Sequence, residues 1–139
     1  MRRSLPVVIW LLLLASTAHA QVGCGFVVVN AKPPVAKDLF PVVIREVDGA
    51  KVASAGQIKL NAGLHRIGVQ EQIADERRGR SRLEDLGIKP SPALRVIEVD
   101  IKADGKYLLA AQLIEGGKRE QPGDYWEPVV WRKQLGSCE

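Results

Sequence analysis

The chain has 139 residues and a formal net charge of +4, long enough for one domain with a single core and too short for two. No internal repeat or low-complexity segment is visible, which sets aside repeat arrays. Arg2 and Arg3 belong to a leader-like start, so residues 21–139 carry only +2, a balance that does not by itself require a polyanionic partner.

In chain order, MRRSLPVVIWLLLLASTAHA (1–20) joins a basic start to an apolar run from Pro6 to Ala15, and Ala18 and Ala20 bracket His19 at its end. This is the three-part pattern of a secretory signal peptide cleaved after Ala20. The apolar run is well short of the ~20 residues a membrane-crossing helix needs. Cys24 follows closely, but Gln21, Val22 and Gly23 lack the leucine that a lipoprotein signal carries three positions before its acylated cysteine. The expectation is a periplasmic or secreted protein, not integral to a membrane once the leader is cut, with residues 21–139 as one domain. In an oxidising compartment Cys24 and Cys138 read as a disulfide that ties the two ends together. A free thiol pair and a bond to a partner are the alternatives, and no C-x-x-C spacing points to redox catalysis.

Seven short runs follow, at 26–30, 41–47, 58–60, 64–70, 94–101, 106–114 and 126–134, each rich in branched or aromatic residues and bounded by Gly, Pro, Asn or Asp. They predict an all-β domain. Alternation puts Ile67 with Val69, Ile97 with Val99 and Ile101, and Tyr107 with Leu109, Ala111 and Leu113 on core-facing sides, leaving Arg66, Glu98, Asp100 and Gln112 to water. In PVVIREV the pairs Val42/Ile44 and Val43/Val47 compete for the inside, and a bulge reconciles them. DG at 48–49, NAG at 61–63 and ADG at 103–105 read as tight hairpin turns, the last with Gly105 left-handed. The expected fold is a single antiparallel two-sheet β-sandwich of about seven strands.

His65 is the one histidine left after the leader, and its parity with Ile67 and Val69 points it inward at the sandwich's edge. A metal site needs several ligands, and a catalytic base needs a nucleophile and an orienting group. With neither apparent, His65 is expected to serve the architecture. REVDGAKV, IKLNAGLHRIGV and IEVDIKADGKYLLAA together resemble, over residues 41–114, the order of elements in PEGA-like domains of bacterial envelope proteins. The matching positions are Asp48, Gly49, Gly63, His65, Gly105 and Tyr107. Asn61 and Ala62 stand where a proline is usual, and the Pro-Glu-Gly-Ala run itself is missing. The resemblance implies a small immunoglobulin-like or transthyretin-like sandwich, non-catalytic, acting as a surface or periplasmic module, with no catalytic residues to carry over.

Two segments remain as binding candidates. ADERRGRSRLEDLGIKPSP (74–92) has no strand pattern and reads as a long charged loop. Its Arg77, Arg78, Arg80 and Arg82 suit phosphate or carboxylate groups on an envelope polymer, but Asp75, Glu76, Glu84 and Asp85 balance them. GDYWEPVVW (123–131) gathers Tyr125, Trp126 and Trp131, rings fit for sugar stacking or a protein interface. Alternation sets Trp126, Pro128 and Val130 against Val129 and Trp131, and Pro128 marks an edge strand open to strand addition. Nucleic acid would demand an uncompensated basic face with stacking rings, which is not present. Ser54, Ser81, Ser91 and Ser137 lack a nucleophile motif, and the carboxylates fall mostly at turns or outward positions. The expected function is therefore non-catalytic, without cofactor or metal: a module that binds an envelope protein or, alternatively, an envelope glycan or anionic polymer.

Overall fold

Each of the seven runs forms a strand, and two strands of two residues join them. In the computed structural model, which describes residues 22–116, 120–121 and 123–138, the strands are β1 (Cys24–Val28), β2 (Leu39–Phe40), β3 (Val42–Val47), β4 (Ala50–Lys51), β5 (Gln57–Asn61), β6 (Gly63–Glu71), β7 (Arg95–Ile101), β8 (Gly105–Leu113) and β9 (Trp126–Leu135), with one helix, α1 (Arg77–Asp85). The expected leader, residues 1–20, lies outside the described residues.

The strands form two sheets. In the four-stranded one the order is β4-β3-β6-β7, antiparallel throughout. In the five-stranded one β8 is the spine, bonded to β9, β1 and β2, with β5 beyond β1. β1 runs parallel to β8, so this sheet is mixed and the expectation of a purely antiparallel sandwich is corrected. A parallel neighbour arises because a long stretch of chain, which crosses between the sheets and forms β2 and β5 of this one on the way, separates β1 from β8, so no tight turn between the two dictates their relative direction.

The turns carry a second correction. Asp48 and Gly49, both at positive φ (51° and 82°), close a true hairpin between β3 and β4. NAG, by contrast, links β5 to β6, and ADG links β7 to β8, in each case from one sheet to the other. These are corners, and turn chemistry specifies a reversal without specifying the partner. At the second corner Asp104, not Gly105, takes the left-handed conformation (φ 59°). The corner is fastened by the amide of Lys102 donating to Tyr107 Oη (2.9 Å) and that of Asp104 donating to the Cys24 carbonyl (2.8 Å).

The core lies between the sheets, with Val27, Ile44, Ile67, Ile101, Leu109 and Trp126 almost fully buried. The β3 ambiguity is resolved by a register shift between Ile44 and Glu46 opposite β6, the bulge the pattern demands, so Val42 and Ile44 go inward. Cys24 and Cys138 form a disulfide with Cα atoms 6.0 Å apart, a bond that an oxidising compartment sustains. No helix among the described residues is long and apolar enough to cross a membrane.

The charged stretch at 74–92 is not structureless, as expected from sequence, but holds a short 3₁₀ turn (Ile73–Asp75) and then α1. The helix packs through Leu83 and Gly79; a Cβ built on Gly79 would clash with the Ile73 carbonyl oxygen. It ends in a Schellman cap: Gly87 N–H bonds Glu84 O, Ile88 N–H bonds Leu83 O, and Gly87 sits at φ 65°.

Candidate functional site

On the outer face of the four-stranded sheet, period-two alternation turns Leu64, Arg66, Gly68 and Gln70 of β6 outward, and the register sets Gly68 opposite Val96, Arg66 opposite Glu98 and Leu64 opposite Asp100. Gly68 has no side chain to cover the middle of the sheet, so a recess of about 250 Å³ opens there between Glu46, Asp48, Arg66 and Val96. A second of about 310 Å³ shares Glu46 and continues past Arg45, Gln70 and Pro92 to Leu94. Together they make a shallow trough beside β7. Of the five large apolar side chains exposed among the described residues, two line the trough, Val96 (46%) and Leu94 (41%), and Leu64 (64%) lies further along the same face of β6.

In the ladder β7 pairs only with β6, so its far edge has no strand partner among the described residues, although Arg95 at its start donates to the Gly123 carbonyl (2.8 Å) and lies 3.6 Å from Asp124. The strand has a regular register with neither proline nor bulge, and its charges are Arg95, tied to Gly123, and the outward Glu98 and Asp100. β9 is also outermost, bonded only to β8, but it carries Pro128, the cations Arg132 and Lys133, and a register shift that leaves Trp131 as the extra residue. The edge strand read from Pro128 is therefore present and is also guarded.

Most of the expected aromatic patch is interior. Trp126 is fully buried and Tyr125 is 4% exposed, because the first turns of β9 close the core. Tyr125 Oη donates to Glu71 Oε1 (2.6 Å) and accepts from the Ser91 amide (2.9 Å), while Glu71 Oε2 accepts from the Ile73 amide (2.5 Å). Burial, reinforced by the Glu71 carboxylate, pushes the Tyr125 hydroxyl far above its usual range, so it serves as a fixed donor. Trp131 alone is half-buried, and the Arg132 guanidinium lies 4.9 Å from its ring centre. A ligand meeting rings at this edge would find one indole already stacked.

The four arginines do not form a common grip. Arg82 is paired with Glu115 and lies 3.5 Å from Asp38; Arg80 donates to the Ala74 carbonyl (3.1 Å). Arg77 and Arg78 are exposed at the start of α1.

His65 answers to two acceptors. Nδ1 is 2.6 Å from Asp48 Oδ2 and Nε2 is 2.7 Å from the Asn61 carbonyl, while Asp48 Oδ1 accepts from the Arg66 amide (2.9 Å). Both ring nitrogens must donate to satisfy this geometry, which favours the imidazolium. Burial opposes the charge, but the bonds to Asp48 and Asn61 outweigh it and hold the pKa above 6.5. The Asp48 carboxyl is held below 3.8, chiefly by the Arg66 amide and then by His65. Such a ring has no free lone pair for a proton-transfer or a metal. It fastens the β3–β4 turn to the corner before β6, and stands opposite Val99 of β7 in the ladder. Among the described residues no group of three or more His, Cys, Asp or Glu is placed to hold a metal.

Against known proteins, the chain matches no family model, no curated protein and no solved structure.

The trough was not anticipated from the sequence, although one signal for it exists. If Ile97, Val99 and Ile101 face the core, then Leu94 and Val96 fall on the water side with Glu98 and Asp100, and two apolar residues at consecutive outward positions mark a surface awaiting cover.

Proposed function

We propose that this chain is an exported, non-catalytic binding module of the bacterial envelope, a small sandwich of the PEGA-like, immunoglobulin-like or transthyretin-like kind, which binds a protein partner along β7 and the trough beside it. The observation that carries this reading is a strand edge of regular register, without a strand partner among the described residues, beside exposed Val96 and Leu94. An incoming extended segment gains backbone hydrogen bonds from the edge and side-chain contacts from the face, the usual division of labour in strand addition. The cysteine bridge and the leader pattern support export. The Asp48–His65 contact supports the resemblance, since it joins two of the residues that carry it.

The test is site-specific photo-crosslinking in the compartment the protein is exported to, with the photoreactive residue at position 96 or, for comparison, at position 133 on β9. A discrete adduct from 96, absent from 133 and lost on Val96→Lys, is expected. Adducts from 133 alone would move the binding surface to β9 and contradict the reading.

A further inference from the structure

An incoming strand takes its nearest side-chain neighbours from β7 itself: directly opposed Cβ atoms lie about 5 Å apart, and β6 is a full strand spacing further away. The outward side chains β7 offers are Val96, Glu98 and Asp100, all exposed. Among the described residues Glu98 enters no ion pair within 4 Å, and the cation nearest to it in the ladder is Arg66, directly opposite on β6. Asp100 meets only Lys102, just past the strand end and largely in water, a kind of pair that contributes little.

A second copy of this chain is a poor occupant. Twofold antiparallel pairing in a continuous sheet sets outward residues against outward residues. In the register that overlaps all of β7, Glu98 meets Glu98. Shifting one way sets Glu98 against Asp100 twice, and shifting the other way sets it against Val96. Like charges directly opposite destabilise a ladder, so the longest overlap and one of its neighbours are disfavoured, and the remaining register leaves Glu98 and Asp100 facing apolar side chains with no cation opposite.

We infer that the occupant of β7 is an extended segment of another protein with basic residues at two alternate positions and branched apolar residues around them; this rests on the reading of β7 as the binding edge. In antiparallel addition the order is basic, apolar, basic, apolar, apolar. The first basic residue stands opposite Asp100, the second opposite Glu98, and the last apolar residue opposite Val96. The intervening residues fall on the inner side beside Val99 and the half-buried Ile97. Parallel addition reads the same pattern in reverse.

The probe is a labelled synthetic peptide with the core Val-Val-Lys-Val-Lys-Val-Val, which reads alike in both directions, against one with Glu in place of Lys. The chain's net charge is positive, so long-range attraction alone would favour the Glu peptide. Fluorescence anisotropy is expected to show the Lys peptide bound about tenfold more tightly, and the double variant Glu98→Lys/Asp100→Lys to reverse the preference. Both substituted side chains are exposed, and circular dichroism checks that the variant stays folded. Equal binding of the two peptides, or a preference that the double variant does not reverse, would overturn the inference. So would a wild-type dimer in sedimentation that Val96→Lys dissolves. Crosslinking at position 96 that captures a partner while the peptides show no preference would leave the edge reading standing and remove only this occupant.

Discussion

β7 and β9 are both outermost strands, yet they are defended unequally. β9 has a proline, two adjacent cations and a bulge, and a disulfide three residues past its end ties it back to β1. β7 has an unbroken register with β6 and two carboxylates and a valine on its exposed side. Edges of the first sort discourage pairing, and on the proposed reading an edge of the second sort accepts a partner while its like charges disfavour the longest overlap with a second copy. On that reading the difference puts binding on the four-stranded sheet, while Tyr125 and Trp126 at the start of β9 are held in the core.

Reducing the disulfide frees the carboxyl end of β9 and should have the largest effect. A loop of this span is worth about 4 to 5 kcal/mol in the chain-entropy account, so the urea midpoint should fall steeply in dithiothreitol. An unchanged midpoint would show that the ladder with β8 suffices. Next, Tyr125→Phe leaves the buried Glu71 carboxylate and the Ser91 amide short of a partner. A loss of about 2 kcal/mol is expected in denaturant unfolding, together with loosening of the segment that leads into β7.

His65→Ala should cost about 1 to 2 kcal/mol by removing two hydrogen bonds under β7. Its pH signature is specific. Because the folded pKa is raised, the imidazolium's contribution is full below 6.5 and is lost as pH rises through the folded value. Because the Asp48 pKa is depressed, its contribution is present above 3.8 and is lost as pH falls through the folded value. The stability difference between wild type and His65→Ala should therefore be greatest in mildly acidic solution and shrink toward alkaline pH; a flat difference would contradict the two-acceptor clamp. Smallest of all for stability, Val96→Lys should shift unfolding by no more than about 0.5 kcal/mol and still abolish the crosslink.

The comparison can also be broken from the other side. Replacing Pro128, Arg132 and Lys133 together by Thr strips the guard from β9, and self-association by size-exclusion chromatography is the expected result. A variant that stays monomeric would mean that the bulge at Trp131 alone protects the edge.

The strands themselves were legible because alternation is local. Ile67/Val69 and Tyr107/Leu109 need no tertiary knowledge to be placed inside, and the conflict within PVVIREV announced its own bulge. Pairing was not legible: the residues of NAG and ADG suit a hairpin or a corner equally, since both need a reversal at positive φ. The helix was obscured because only Leu83 and Leu86 mark its buried side among arginines and acids, although Gly87 followed by Ile88 carried its stop signal. Alternation along β9 separates one core tryptophan from one outer one, but which is which, and the depth of Tyr125, cannot be read from clustering in the sequence. The open edge could not be read at all, since which strand ends a sheet is a property of the whole topology.

The most direct measurement is residue-resolved amide hydrogen exchange across β7 and β9, in the free protein and with the Lys peptide present. In the free protein alternate amides of β7, those turned away from β6, should exchange rapidly, and the peptide should protect them while β9 is unchanged. Uniform protection of β7 before any peptide is added, or protection that appears on β9 instead, would contradict the account.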